Sequence, residues 1–248
     1  MSGHSHYSTI KRQKESNDAT KGAVFSKLSR AISIAVKSGG GSSPDSNYKL
    51  RVAIDKARAM NMPKASIERA ISKGVGGGDL EEVTYEGFGP VGVAVMVEVA
   101  TDNRNRSGQE IKSIFDKGGG SLAGPGAVSF NFEPKGFIVI KKDKNVEEQM
   151  LALIDLGVED MEETTDGIEI HVDSSLIKEI REKLENKKFN IVSTELVQKP
   201  KNYQLLDNEK KANKVLSFLD GLENQDDVQK VFANFDIPED ILEKIANE

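Results

Sequence analysis

The apolar residues of this chain change their period once, at Gly76-Gly77-Gly78, and that change limits what can fold on either side of it. Before the glycines, apolar side chains recur at helical spacing. Val24, Phe25, Leu28, Ala31, Ile32, Ala35 and Val36 share one face of a segment spanning 19–37, and Lys27, Arg30 and Lys37 lie on the opposite face. The run Gly39-Gly40-Gly41-Ser42-Ser43-Pro44 ends this helix. Leu50, Ile54 and Ala57 place a second helix over 47–60, and Pro63 suits the first turn of a third, expected to run to Lys73 and stop at Gly74. Three short helices predict a small bundle, with the triple glycine as a flexible linker behind it. Residues 1–18 are polar and aperiodic and are expected to form a flexible arm.

After the glycines, strands and helices alternate. A Val-rich strand is expected over 91–100, a helix over 103–117 closed by Gly118, and a strand over 127–132. Then follow strand 136–141, helix 146–156, strands 158–163 and 168–172, helix 175–186 and strand 191–197. That run reads β-α-β-β-α-β, the order of a ferredoxin-like domain, with Thr165-Asp166-Gly167 as the hairpin turn between its middle strands. The tail offers a helix over 208–222, a strand over 228–235 and a last helix begun by Pro238, too little for a domain of its own. Segment 79–132 has β-β-α-β content and lacks a closing helix and strand, which the tail would supply. The expected fold is therefore α+β and multidomain: an N-terminal three-helix domain followed by two α/β domains, one ferredoxin-like and inserted into the other. The divisions are a flexible basic arm (1–18), a helical basic domain (19–77), a discontinuous middle domain (78–133 plus 201–248) and an inserted domain (134–200).

Charge follows the same division. The net charge of −6 conceals +9 over residues 1–77, with 14 Lys+Arg against 5 Asp+Glu, and −15 over residues 78–248. No acidic residue lies between Asp18 and Asp45. Such a split points to a basic module that meets a polyanion and an acidic body that does not. The chain has no cysteine, which excludes disulfides, thiolate catalysis and cysteine zinc sites. No secretory h-region and no run of about 18 apolar residues occurs, so a cytoplasmic protein without membrane partners is expected.

Several motifs resolve into structural readings. Gly87-Phe88-Gly89-Pro90-Val91-Gly92 matches G-x-G-x-x-G, but a nucleotide site needs those glycines to open a helix, and here they lead into a strand. A hairpin turn is expected instead. Gly118-Gly119-Gly120 reads as a helix C-cap and loop. His171 sits in an expected strand with no nucleophile signature, and the pairs Glu81-Glu82, Glu147-Glu148 and Glu162-Glu163 read as solvated surface charge. Ser2-Gly3-His4 could wrap Cu(II) only after loss of Met1, and it is read as incidental. No metal, cofactor, small-molecule substrate or catalytic set is expected.

Nucleic-acid binding is expected from four groups. In the arm, Gly3, His4, Ser5, His6 and Tyr7 precede Lys11, Arg12 and Lys14, combining close backbone approach, a stacking ring and phosphate-neutralising cations. On the first helix stand Lys21, Lys27, Arg30 and Lys37, and on the second Lys49, Arg51, Lys56 and Arg58. Last come Asn103, Arg104, Asn105 and Arg106, after Asp102, where a strand becomes a helix. Asp102 or Asn103 could cap that helix, and the arginines beside its amides could bind an anion such as an RNA phosphate.

These residues carry a resemblance. Gly3-His4-Ser5, Ile10-Lys11, Asp18-Ala19, Lys21-Gly22, Phe25-Ser26-Lys27-Leu28, Gly39-Gly40, Asn61-Met62-Pro63, Ile67-Glu68-Arg69-Ala70-Ile71, Tyr85-Glu86-Gly87, Gly89-Pro90 and Thr101-Asp102-Asn103-Arg104-Asn105-Arg106 run over essentially the whole chain. The sequence resembles the YebC/PmpR family, which includes mitochondrial translational activators of cytochrome oxidase. His6-Tyr7 stands where many members have Lys or His followed by Trp, and Thr20 stands before Lys21 where a basic pair is frequent. The resemblance implies a three-domain protein with a helical N-terminal domain, a bacterial cytosolic setting and no enzyme activity. It implies a probable transcriptional regulator binding DNA, or alternatively a ribosome-associated translation factor binding ribosomal RNA or tRNA. No helix-turn-helix signature stands out, and a basic arm with Tyr7 suits folded or single-stranded RNA.

Overall fold

The computed structural model describes residues 20–77, 79–158, 160–164 and 167–246. The expected arm, with Gly3, His4, Ser5, His6, Tyr7, Lys11, Arg12 and Lys14, lies outside the described residues, as do Thr165 and Asp166 of the expected hairpin turn. Helix α1 (Thr20–Ser38) is the centre of the N-terminal unit; α2 (Tyr48–Ala59) and α3 (Lys64–Val75) pack against it. Leu28, Ile32, Leu50, Ile54 and Ile67 form their shared core. Asn47 fixes the loop between α1 and α2. Its side-chain carbonyl accepts the Leu50 N–H at 2.9 Å as an N-cap, and its amide donates to the carbonyls of Ala35 and Gly41 at 2.8 and 2.7 Å.

Gly74 does not stop α3, contrary to expectation. It lies within the helix, where a Cβ would sit 2.7 Å from Val36 Cβ and 2.8 Å from the Ser33 carbonyl. The glycine is there so that α1 and α3 can approach closely, and the helix runs on to Val75 before Gly76 caps it.

The chain then builds β1 (Glu81–Phe88), β2 (Ala94–Thr101), α4 (Arg104–Gly118) and β3 (Ser121–Ala123). The turn joining β1 to β2 is the expected hairpin, with Phe88 facing Ala94 and left-handed φ values of 56° at Val91 and 78° at Gly92. Gly119, at φ 79°, caps α4 one residue beyond the expected Gly118.

No strand forms over 127–131, and Phe132 opens a different one. Glu86 on β1 is buried, and its carboxylate accepts the backbone N–H groups of Gly126, Val128 and Ser129 at 2.8–2.9 Å. Those amides turn to the carboxylate instead of to a neighbouring strand, and β3 supplies the third strand. The Glu86 carboxyl is held below its ordinary range, because these backbone bonds outweigh the burial that would raise it.

The insertion follows as β4 (Phe132–Ile140), α5 (Val146–Asp155), β5 (Asp160–Glu163), β6 (Ile168–Asp173), α6 (Ile177–Asn186) and β7 (Ile191–Pro200). Its strands order as β5-β6-β4-β7, all antiparallel, which is the ferredoxin-like arrangement. The chain returns through β8 (Gln204–Leu205), α7 (Glu209–Glu223), β9 (Val228–Ala233), β10 (Phe235–Asp236) and α8 (Glu239–Ala246). Strand β9 pairs with β2 and completes the middle sheet in the order β3-β1-β2-β9. Helices α4 and α7 share the core on one face of that sheet, built around Val95, Val97, Phe115, Phe218 and Leu222. The architecture is thus a helical unit followed by two α/β units, one inserted in the other. No described helix is long and apolar enough to cross a membrane.

Candidate nucleic-acid interface

Lys27 and Arg30 face inward, against the middle unit, and Lys37 lies exposed at the rim of the same contact. Lys27 donates from Nζ to the carbonyl of Glu223 at the end of α7, and Arg30 donates to the carbonyl of Asp226. Arg30 also pairs with the Asp227 carboxylate at 3.4 Å, and Lys37 donates to the Leu80 carbonyl at 3.0 Å. The sequence held a clue to this. Ile34 falls on the same helical stripe, four residues after Arg30 and three before Lys37, and it is buried against Leu80 and Ala100. One apolar residue in a cationic stripe marks a docked face.

Asp227 is the centre of this junction and is 2% exposed. Its carboxylate accepts Ser107 Oγ at 2.6 Å, an Arg106 guanidinium nitrogen at 2.8 Å and Thr101 Oγ1 at 3.4 Å. Burial alone would raise this carboxyl, but the hydrogen bonds from Ser107 and Arg106 and the charge of Arg30 prevail and hold it below the ordinary range. The motif running from Thr101 to Ser107 therefore has a structural use. Asn103 N-caps α4 by accepting the Arg106 N–H at 3.1 Å, and the Arg106 side chain closes on Asp102 at 2.9 Å as well as on Asp227. Arg104 and Asn105 stay exposed on the first turn.

Helix α2 docks its cations in the same manner. Lys56 reaches Glu195 of β7 at 2.9 Å, and Lys230 of β9 reaches the same carboxylate at 3.5 Å, so one glutamate joins all three units. Burial would raise that carboxyl, yet the two lysines hold it down at about 2. Asp55 receives Arg181 of α6 at 2.9 Å. Lys49 pairs with Glu82 at 2.9 Å, and Arg51 stays local, on the Pro44 carbonyl and Asp45. Of the expected α2 cations Arg58 is the most exposed, at 71%, with only a long 3.8 Å approach to Asp55. The Lys21 side chain lies outside the described residues.

The outward basic surface includes residues that the sequence reading passed over. Ile67, Ala70 and Gly74 are buried on α3, leaving Lys64, Arg69 and Lys73 exposed on its other side. Residues 60–63 join α2 to α3 in four residues, with Asn61 left-handed at φ 58°, a connection of the length used in helix-turn-helix motifs. The signal was present in the sequence as cations spaced five and four apart on an otherwise apolar-backed helix.

Elsewhere, His171 lies in β6 with its ring 5.0 Å from that of Phe137. Glu82 and Glu163 form surface ion pairs with Lys49 and Lys142. Among the described residues no three His, Asp or Glu side chains gather into a set that could hold a metal ion.

Comparison with known proteins matches both parts of the chain. The profile of the TACO1/YebC protein N-terminal domain matches residues 5–77, and that of the TACO1/YebC second and third domain matches residues 80–235. A protein of Dictyoglomus thermophilum named "Probable transcriptional regulatory protein" is 47% identical over 99% of this chain and 100% of its own length. One of Sulfurihydrogenibium, named likewise, is 46% identical over 99% of each chain. The crystal structure of a conserved hypothetical protein from Aquifex aeolicus superposes with a TM-score of 0.83 at 43% identity, over 91% of this chain and 94% of that one. The chain belongs to the TACO1/YebC family.

Proposed function

We propose that this protein is a non-enzymatic regulator that binds nucleic acid through residues 1–77, and that its target is DNA, as the relatives' name suggests. The observation that carries the reading is the net charge of +9 on that segment against −15 on the remainder. The geometry adds where such a contact can form. Arg58, Lys64, Arg69 and Lys73 face solvent on α2 and α3, and a four-residue turn presents α3 as a second helix for a groove. Thr20, the first described residue of α1, lies about 15 Å along the helix axis from Arg30. The perturbed carboxylates Glu86, Glu195 and Asp227 each have a structural partner set, which favours a binding role over acid–base chemistry.

Titration of the full chain with duplex DNA across salt concentrations tests the reading. Affinity is expected to fall steeply, with a log–log slope of ~0.9 per neutralised phosphate, and changing Lys11, Arg12 and Lys14 together to Ala flattens it. A salt-independent affinity would exclude a phosphate-gripping role. Tyr7 supports a second reading, a translation factor on ribosomal RNA, because a ring beside three cations suits an unstacked base. Tyr7→Ala then costs ~1–3 kcal/mol on single-stranded RNA and little on a duplex. Crosslinking in cells, followed by identification of the recovered nucleic acid as chromosomal or ribosomal, decides between the two.

A further inference from the structure

The stripe formed by Lys27, Arg30 and Lys37 has the chemistry of a phosphate-binding face, and two of its cations, Lys27 and Arg30, are covered by groups that imitate phosphate. The α7 C-terminus presents the Glu223 carbonyl at the negative end of the helix dipole, and the following turn presents the Asp226 carbonyl and the Asp227 carboxylate. We infer that this α7–β9 turn is an autoinhibitory latch: it occupies Lys27 and Arg30 of α1 in a docked state and yields them to the phosphodiester backbone of a nucleic acid in an undocked one. The inference rests on the nucleic-acid-binding reading above and adds how that binding is regulated.

Three features of the junction favour reversible docking. Its apolar component is small, with Ile34, Leu80 and Ala100 as the buried residues of the cluster where α1 meets the middle unit. The other ties between the helical unit and the rest are mostly polar, through Lys49–Glu82, Lys56–Glu195 and Arg181–Asp55, with Tyr48 of α2 half-buried against the core of the inserted unit. An interface of this kind permits domain motion, and Gly76-Gly77 supplies a pivot.

The second feature is the way Asp227 is held. Release of Arg30 would ordinarily strand a buried carboxylate. Here Ser107 at 2.6 Å and Arg106 at 2.8 Å both belong to the middle unit and stay with Asp227 when α1 departs. The latch therefore opens without leaving an unpaired buried charge behind it, which is the main penalty for breaking such a pair.

The third is mutual exclusion. A polyanion can shift the equilibrium only by binding one state better, and cations already bonded to carbonyls and Asp227 offer that difference. Nucleic acid and the α7–β9 turn compete for the same nitrogens.

The absence of cysteine from the chain makes a direct test possible. Lys27→Cys and Asn224→Cys are introduced into the full chain and joined by a thiol-cleavable bismaleimide, so locked and released protein share one sequence. Binding to a 20-nucleotide single-stranded RNA and to a 20-base-pair DNA duplex is measured at low salt before and after cleavage. At least tenfold weaker binding when locked, restored on cleavage, is the expected result. Equal affinity before and after cleavage overturns the latch and leaves the binding reading intact. If neither the released nor the wild-type protein binds either probe, the binding reading fails, and the latch fails with it. Energy transfer between labels at Glu68→Cys and Asp240→Cys supplies an independent measure. It is expected to fall as either probe is added to otherwise unmodified protein, and no change at saturation contradicts undocking.

Discussion

Two buried carboxylates, Glu86 and Asp227, sit at opposite ends of the middle unit's strands and are held by different kinds of donor. Glu86 is surrounded by backbone amides of one loop within its own unit, from Gly126 to Ser129. Asp227 is surrounded by side chains, three from its own unit and one, Arg30, from another. Both stay ionised below the usual carboxylate range, yet the first is built into a loop's path and the second can lose a partner and remain satisfied. Charge burial by itself therefore does not distinguish a fixed structural element from a switch; the chain origin of the donors does.

The largest effect expected from breaking this contrast is on Glu86. Glu86→Ala leaves three backbone donors without an acceptor, and the middle unit should lose about 3–5 kcal/mol in urea unfolding followed by circular dichroism. A loss under about 1 kcal/mol would show that the loop does not depend on the carboxylate.

Glu195 sharpens the comparison, because both of its lysine partners come from other units. Its folded value of about 2 lies below the ordinary value of 4.5. A depressed carboxylate contributes stability above its unfolded pKa and loses it as pH falls through the folded value. Docking should thus weaken between about pH 4.5 and 2, by up to about 3 kcal/mol, and the difference from Glu195→Gln isolates this group. Parallel acid curves for the two proteins would remove Glu195 from the junction's energetics.

Asp227→Asn should cost about 2 kcal/mol, since an amide keeps the hydrogen bond from Ser107 but not the charge for Arg30 and Arg106. Cleavage by an added protease at residues 76–80 should accelerate while the two α/β units stay resistant. Unaltered cleavage would place the control of docking elsewhere. The smallest effect is expected at Lys49→Ala. That lysine and Glu82 are each 41% exposed, so removal should change stability by less than about 0.5 kcal/mol. A loss above 1 kcal/mol would mean that surface pairs, not Asp227 and Glu195, hold the helical unit.

The fold was legible where period and punctuation agreed. The β-α-β-β-α-β order gave the inserted unit, and the incomplete β-β-α-β segment called for α7 and β9 from the tail. Local signals failed where a distant contact decided the outcome. Gly74 looked like a helix stop because the crossing of α1 is invisible in sequence, and 127–132 looked like a strand because Glu86, some 40 positions earlier, takes its amides. The candidate interface was legible as charge but not as direction. Lys27, Arg30 and Lys37 were identified as a cationic face, while their acceptors lie near residue 225 and at Leu80, beyond any helical period. Only Ile34 within that stripe indicated that it is covered.

Strands β4 and β7 pair from Phe132 with Pro200 up to Ile140 with Ile191, and the Lys201 N–H continues to the Asn131 carbonyl at 2.8 Å. The insertion thus leaves and re-enters its host through a single ribbon whose two ends touch. The root of that stem is fixed to its host, because Phe132 and Val197 pack with Met96 and Phe232 and Lys230 holds Glu195, so the appended sheet moves with the middle unit. The same adjacency makes the appendage modular: a short turn from Asn131 to Lys201 would close the host chain over the gap.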